Sequence, residues 1–95
     1  MNWIITADVE SPDGGAEGVG VLPQMPGQIG RYSKAHITLD LLKPLFHRFR
    51  ILDDDGLPYY LGYADAEGFA PLDWAKANAG CTEIQFARDD RWETL

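Results

Sequence analysis

Hydrophobic and polar positions alternate most clearly from His47 to Leu52. Arg48, Arg50 and Leu52 fall on one side, and His47, Phe49 and Ile51 on the other. Asp53-Asp54-Asp55-Gly56 follows and reads as a turn, with Asp-Gly the favoured dipeptide. Tyr59-Tyr60-Leu61-Gly62-Tyr63 then returns as a strand. Pro58 before it is tolerated at a strand start. Residues 47–63 are predicted to form a β-hairpin.

The same reading places a first strand at Trp3-Ile4-Ile5-Thr6, which is β-branched and aromatic. Another runs from Cys81 to Phe86, with Cys81, Glu83 and Gln85 on one face and Thr82, Ile84 and Phe86 on the other. Arg88 to Arg91 turns the chain into a short last strand, Trp92-Glu93-Thr94. Residues 10–30 are punctuated by Gly and Pro and read as a long loop, with Val19–Leu22 as a short edge strand inside it.

Two short helices are expected. Thr38 is the N-cap of Leu39–Lys43, Asp40 suits the first turn, and Pro44 ends the helix. A start at Ser33 is the alternative. Pro71–Ala77 forms the second, with Pro71 at its first position and Gly80 at its end. The sum is an α+β fold. It is a small single domain over residues 1–95, with a mainly antiparallel sheet built around the hairpin.

Composition narrows the class. Ninety-five residues, 45% of them hydrophobic, make one globular domain with a modest core. Three Trp, four Tyr and four Phe enlarge that core. One Cys forms no intrachain disulfide, which fits a reducing compartment. The N-terminus has no basic and apolar leader pattern, and no apolar run nears the roughly 20 residues of a membrane span. The expectation is a cytoplasmic, soluble protein with no membrane partner.

The net charge is −7. It is uneven: residues 1–30 carry −4, residues 31–50 carry +4, and residues 51–95 carry −7. A phosphate-backbone binder needs clustered positive charge, so nucleic acid is not the expected partner. The plain reading of the basic strip is charge compensation across the folded surface.

Several stretches, taken together, carry a resemblance. They are Trp3–Thr6, Phe49–Gly56, Tyr59–Tyr63, Phe69-Ala70-Pro71-Leu72-Asp73 and Asn78–Ile84. The chain resembles a loose group of small bacterial proteins, some of them phage- or plasmid-borne. The resemblance covers the two ends and the second half. It implies a setting, a small accessory or inhibitory protein of a mobile element, rather than a reaction.

Each candidate chemistry has a plainer structural reading beside it. Cys81 would need a base or a helix N-terminus to become a nucleophile, and His36 and His47 fit no cysteine-enzyme pattern. The plainer reading is a small buried residue. Asp53, Asp54 and Asp55 lack calcium-loop spacing and the closing Glu, so they read as turn chemistry. One Cys and two His make no zinc site. Gly14-Gly15-x-x-Gly18-x-Gly20 lacks a phosphate-loop Lys and reads as a flexible loop. No metal or cofactor is expected. Arg48 and Arg50, with Tyr32, Phe46 and Phe49 near in sequence, could hold single-stranded nucleic acid. The plainer reading pairs both arginines with acids of neighbouring strands. Trp74 and Trp92 could anchor an interface, but are read as core.

The acids of the second half remain. Asp53, Asp54, Asp55, Asp65, Glu67, Asp89 and Asp90 form the candidate protein-binding set, suited to a partner with a basic surface. The expected function is therefore non-enzymatic binding of another protein. The alternatives are a small cysteine-dependent enzyme using Cys81 and a nucleic-acid module using Arg48 and Arg50.

Overall fold

The computed structural model describes residues 1–11 and 15–95. Pro12 and Gly14 of the expected loop lie outside the described residues. Among the described residues, seven strands form one sheet: β1 (Trp3–Asp8), β2 (Val19–Val21), β3 (Gly30–Arg31), β4 (His47–Leu52), β5 (Pro58–Ala64), β6 (Glu83–Arg88) and β7 (Arg91–Thr94). Their order is β3-β2-β1-β5-β4-β6-β7, and every pairing is antiparallel. The helices among the described residues are α1 (Leu39–Leu42) and α2 (Ala70–Ala79), with a 3-10 turn at Lys34–His36. This is the α+β domain with a mainly antiparallel sheet that the alternation predicts.

The β4–β5 hairpin is the centre of the sheet, for a chemical reason. Phe49 and Ile51 alternate with arginines, so one face of β4 can be buried and the other left open. The buried face meets its neighbours residue for residue: Phe49 opposite Phe86, Ile51 opposite Ile84 and Tyr60. Trp3 and Ile5 from β1 continue this face, and α2 covers it with Leu72 and Ala75. Trp74 of α2 packs on Trp3 and Tyr60, with ring centroids 6.3 and 5.3 Å away.

The hairpin turn is a three-residue loop rather than a two-residue one. Asp53 and Leu57 still pair, the Gly56 amide donates to the Asp53 carbonyl, and Gly56 takes φ 76°. A type I turn closed by a left-handed residue is the usual three-residue solution. The Asp53 carboxylate caps it, accepting from the amides of Asp55 and Leu57 at 2.9 Å each.

A register shift opposite Gly62 and Leu61 makes Thr6 an extra residue in β1. Asp8 is thereby turned onto the face of Trp3 and Ile5, opposite Tyr60. Its nearly buried carboxylate accepts from the Ser11 amide at 3.0 Å and the Ala16 amide at 2.7 Å. Part of the expected loop is thus pinned to the sheet, and it contributes β2 and β3. Gly18 adopts φ 90° where a side chain would strike the Tyr32 carbonyl. Glycine there serves chain packing.

A second cluster covers part of the opposite face. Ile4, Leu22 and Leu45 are buried there, with Tyr32, Ile37 and Leu41 packed against them. Residues 32–45 hold this cover in place. Thr38 caps α1 as predicted, accepting from the Leu41 amide; the Ser33 start yields only the 3-10 turn. Gly80 ends α2 in the left-handed conformation as predicted. The helix runs Ala70–Ala79, longer than Pro71–Ala77, and β6 starts at Glu83 rather than Cys81. Leu52 is buried, whereas alternation places it beside the arginines; the β4–β5 ladder shifts register at that point.

Candidate functional site

The cover over the second sheet face is incomplete. Over β4, β5, β6 and β7 this face is open, and alternation decides what it shows. Arg48 and Arg50 project from β4, Leu61 and Tyr63 from β5, and Gln85 from β6. Trp92 of β7, opposite Ala87, lies on the same face. Both guanidinium groups stack on its ring, Arg50 at 4.6 Å and Arg48 at 5.4 Å from the centroid. Arg50 Nε also donates to Gln85 Oε1 at 2.7 Å, and Gln85 Nε2 donates to Glu83 at 2.9 Å.

Two readings change here. Arg48 and Arg50 do not pair with acids of neighbouring strands: the ion pairs among the described residues are Lys34–Glu17, Arg88–Glu67, Arg88–Glu93 and Arg91–Glu93. They stack on an aromatic ring instead, and Arg50 also holds Gln85 through its Nε. Trp92 is not in the core. Its place between Arg91 and Glu93, on a four-residue terminal strand, was the signal that its ring would share a half-open face. Trp74 does lie on the core side.

A cleft of about 200 Å³ beside the stacked arginines is bounded by Thr6, Leu61, Tyr63 and Trp92. Tyr63 also borders a second, wider groove of about 560 Å³, formed by Leu39, Asp40, Leu42, Lys43, Leu45 and Phe46. The two hollows therefore adjoin. The apolar groove is unusual for its rim: Leu39 is 86% exposed and Phe46 74%. Phe46 stacks on His47 at 4.5 Å between ring centroids, which steadies the ring without covering it. The helix α1 is one turn long with Leu39 at its first position, and Lys43 keeps helical backbone although the residue before a proline usually avoids it.

The acidic set is divided between the two ends of the sheet. Asp53, Asp54 and Asp55 occupy the β4–β5 turn, whereas Asp65 and Glu67 follow β5 at the other end, and Asp89 and Asp90 form the β6–β7 turn. Six-residue strands separate the two groups by roughly 17–20 Å. Three members work within the chain. Asp53 caps its turn, Asp65 accepts from the Asn2 amide at 2.9 Å, and Glu67 binds Arg88. That pairing lowers the Glu67 carboxyl below its ordinary range. Asp89 and Asp90 both take positive φ, 46° and 66°, in a two-residue hairpin turn.

Cys81 is 1% exposed. Burial, with help from the charge of Asp53, pushes its thiol up to about 11. It stays protonated at neutral pH, the opposite of an activated nucleophile. His47 stands at the far end of β4 from Leu52, whose carbonyl meets the Thr82 amide. Among the described residues, no group of three His, Cys, Asp or Glu side chains could hold a metal ion. No helix among them is long and apolar enough to cross a membrane.

Compared with protein families, curated proteins and solved structures, the chain matches none.

Proposed function

We propose that this protein is a non-enzymatic binding module that docks on another protein through the open face of its sheet. The observation that carries the reading is the exposure of Leu39 and Phe46 around an apolar groove. Large apolar side chains grouped on one surface mark interaction sites in a way that scattered ones do not. Aromatic and arginine side chains are also the types that dominate binding energy at interfaces, and Trp92, Tyr63, Arg48 and Arg50 adjoin the groove. The acidic ends of the sheet then frame the site and keep the chain soluble. Action as an inhibitor or accessory factor of a mobile element is the finer form of the proposal, and it rests on the sequence resemblance alone.

Affinity capture from lysate of the native cells tests the reading. The tagged chain should retain one stoichiometric protein. A Leu39→Ala/Phe46→Ala variant should lose it while keeping its melting temperature. Capture unchanged by that variant, or no stoichiometric protein on the native chain, would contradict the reading.

A further inference from the structure

We infer that the partner segment recognised by the open face is an acidic peptide with an apolar anchor, lying across the strands. The inference rests on the binding reading above and adds the chemistry of the partner. Two observations carry it, one of charge and one of shape.

The charge argument begins with a chain of net −7 and fifteen acids. Such a chain has ample means to neutralise its own arginines. Arg88 and Arg91 are treated that way, with Glu67 and Glu93. Arg48 and Arg50 are not. They are placed side by side on one ring, and their ion-pairing edges meet no carboxylate among the described residues. Stacking fixes the two forks and lowers the ordering cost of binding a carboxylate. The apolar groove beside them carries one charge of each sign, Lys43 and Asp40, so the two stacked arginines supply the positive charge of this surface.

The shape argument sets the direction of the segment. The acidic turns close both ends of the strands, so an anionic ligand running along β4 would meet Asp54 and Asp55 at one end and Asp89 and Asp90 at the other. A segment crossing the strands avoids the first turn and passes the second only where Arg48 and Trp92 border Asp89 and Asp90. It passes from Trp92 over Arg48, with Arg50 beside it on the same strand, to Tyr63, then reaches the groove between Leu39 and Phe46. Carboxylates fit the first half of this path and an aliphatic or aromatic side chain the second. A polynucleotide fits it less well. Its phosphates need a continuous basic track, and the second half of this path is lined mainly by leucine and phenylalanine.

Selection from a random 12-residue peptide library against the full chain tests the inference. The enriched peptides are then titrated against native and variant proteins. Enrichment of Asp and Glu beside a Leu, Phe or Trp is expected. Affinity should fall at least tenfold in Arg48→Gln/Arg50→Gln and in Leu39→Ala/Phe46→Ala. Arg48→Lys/Arg50→Lys, which keeps the charge, should restore part of the loss, so a folding defect in the Gln pair would not hide the result. Weakening by added salt is expected for the native protein and not for the Gln pair. Enriched peptides that are basic or uncharged, or binding indifferent to the arginines, overturn the acidic partner. If the captured protein still depends on Leu39 and Phe46, the binding reading survives that result. No enriched peptide overturns the inference, and no captured protein overturns the reading beneath it. Tighter binding of the oligonucleotide dT12 than of any selected peptide, through the same arginines, would replace the inference with nucleic-acid recognition.

Discussion

Gly62 shows how narrowly the centre of the sheet is fitted. A Cβ there would lie 2.2 Å from the Ile4 carbonyl oxygen and 2.5 Å from the Phe49 ring. Neither a backbone carbonyl nor a core ring can withdraw easily. Gly62→Ala should destabilise the domain by the upper part of the roughly 1–3 kcal/mol typical of overpacking, as read by urea denaturation. Cys81 yields a prediction about pH. Its thiol is held above the ordinary value, so the folded state keeps its proton longer than the unfolded chain does. The stabilisation is therefore complete below the thiol's ordinary value near 9 and is lost as the pH rises through about 11. Tyr60, raised mainly by its own burial, acts in the same direction. Stability should fall between these values, and less steeply in Cys81→Ala. Iodoacetamide should label native Cys81 far more slowly at neutral pH than the denatured chain. Cys81 was legible as a small buried residue but not by its face: alternation groups it with Glu83 and Gln85, whereas β6 starts only at Glu83 and Cys81 joins Ile84 and Phe86 in the core. The stacking of Arg48 and Arg50 was not legible, because it depends on a side chain more than 40 positions away in the chain.

At the scale of elements, the turns are where local chemistry is least relaxed. Asp89 and Asp90 both occupy left-handed backbone in the β6–β7 turn. Aspartate tolerates that region better than most residues, but glycine does so without a Cβ clash. Asp90→Gly should raise stability by up to about 1 kcal/mol, seen as a higher denaturation midpoint with an unchanged slope. Asp8 acts in the other sense. Replacing it with Ala strands the Ser11 and Ala16 amides, at a cost of about 1–3 kcal/mol in the same assay. The hairpin, the cap at Thr38 and the end of α2 at Gly80 were legible because each follows from residues within one or two turns of chain. The bulge at Thr6 was not. It is set by the partner strand, and it decides on which face Asp8 falls. The second half of the 10–30 segment was expected as loop with an edge strand. Two strands form there, of three residues and two, because β1 offers an edge to β2 and β2 in turn offers one to β3.

At the scale of the whole molecule, one sheet face is sealed by α2 and the other is only half sealed by residues 32–45. That asymmetry is the basis of the proposed function. The basic strip of residues 31–50, which sequence alone suggested to be compensated across the surface, contributes Lys43, Arg48 and Arg50 to the open half. The acids considered as the binding set were legible as a charge excess and as turn residues, and the fold divides them between opposite ends of six-residue strands. Amide hydrogen exchange on the complex with the captured protein tests the central claim most directly. The account predicts added protection at residues 39–50, 61–63 and 91–94, with α2 and the Asp53–Leu57 turn unchanged. Protection confined to α2 or to the acidic turns, with the open face exchanging as in the free chain, would contradict it.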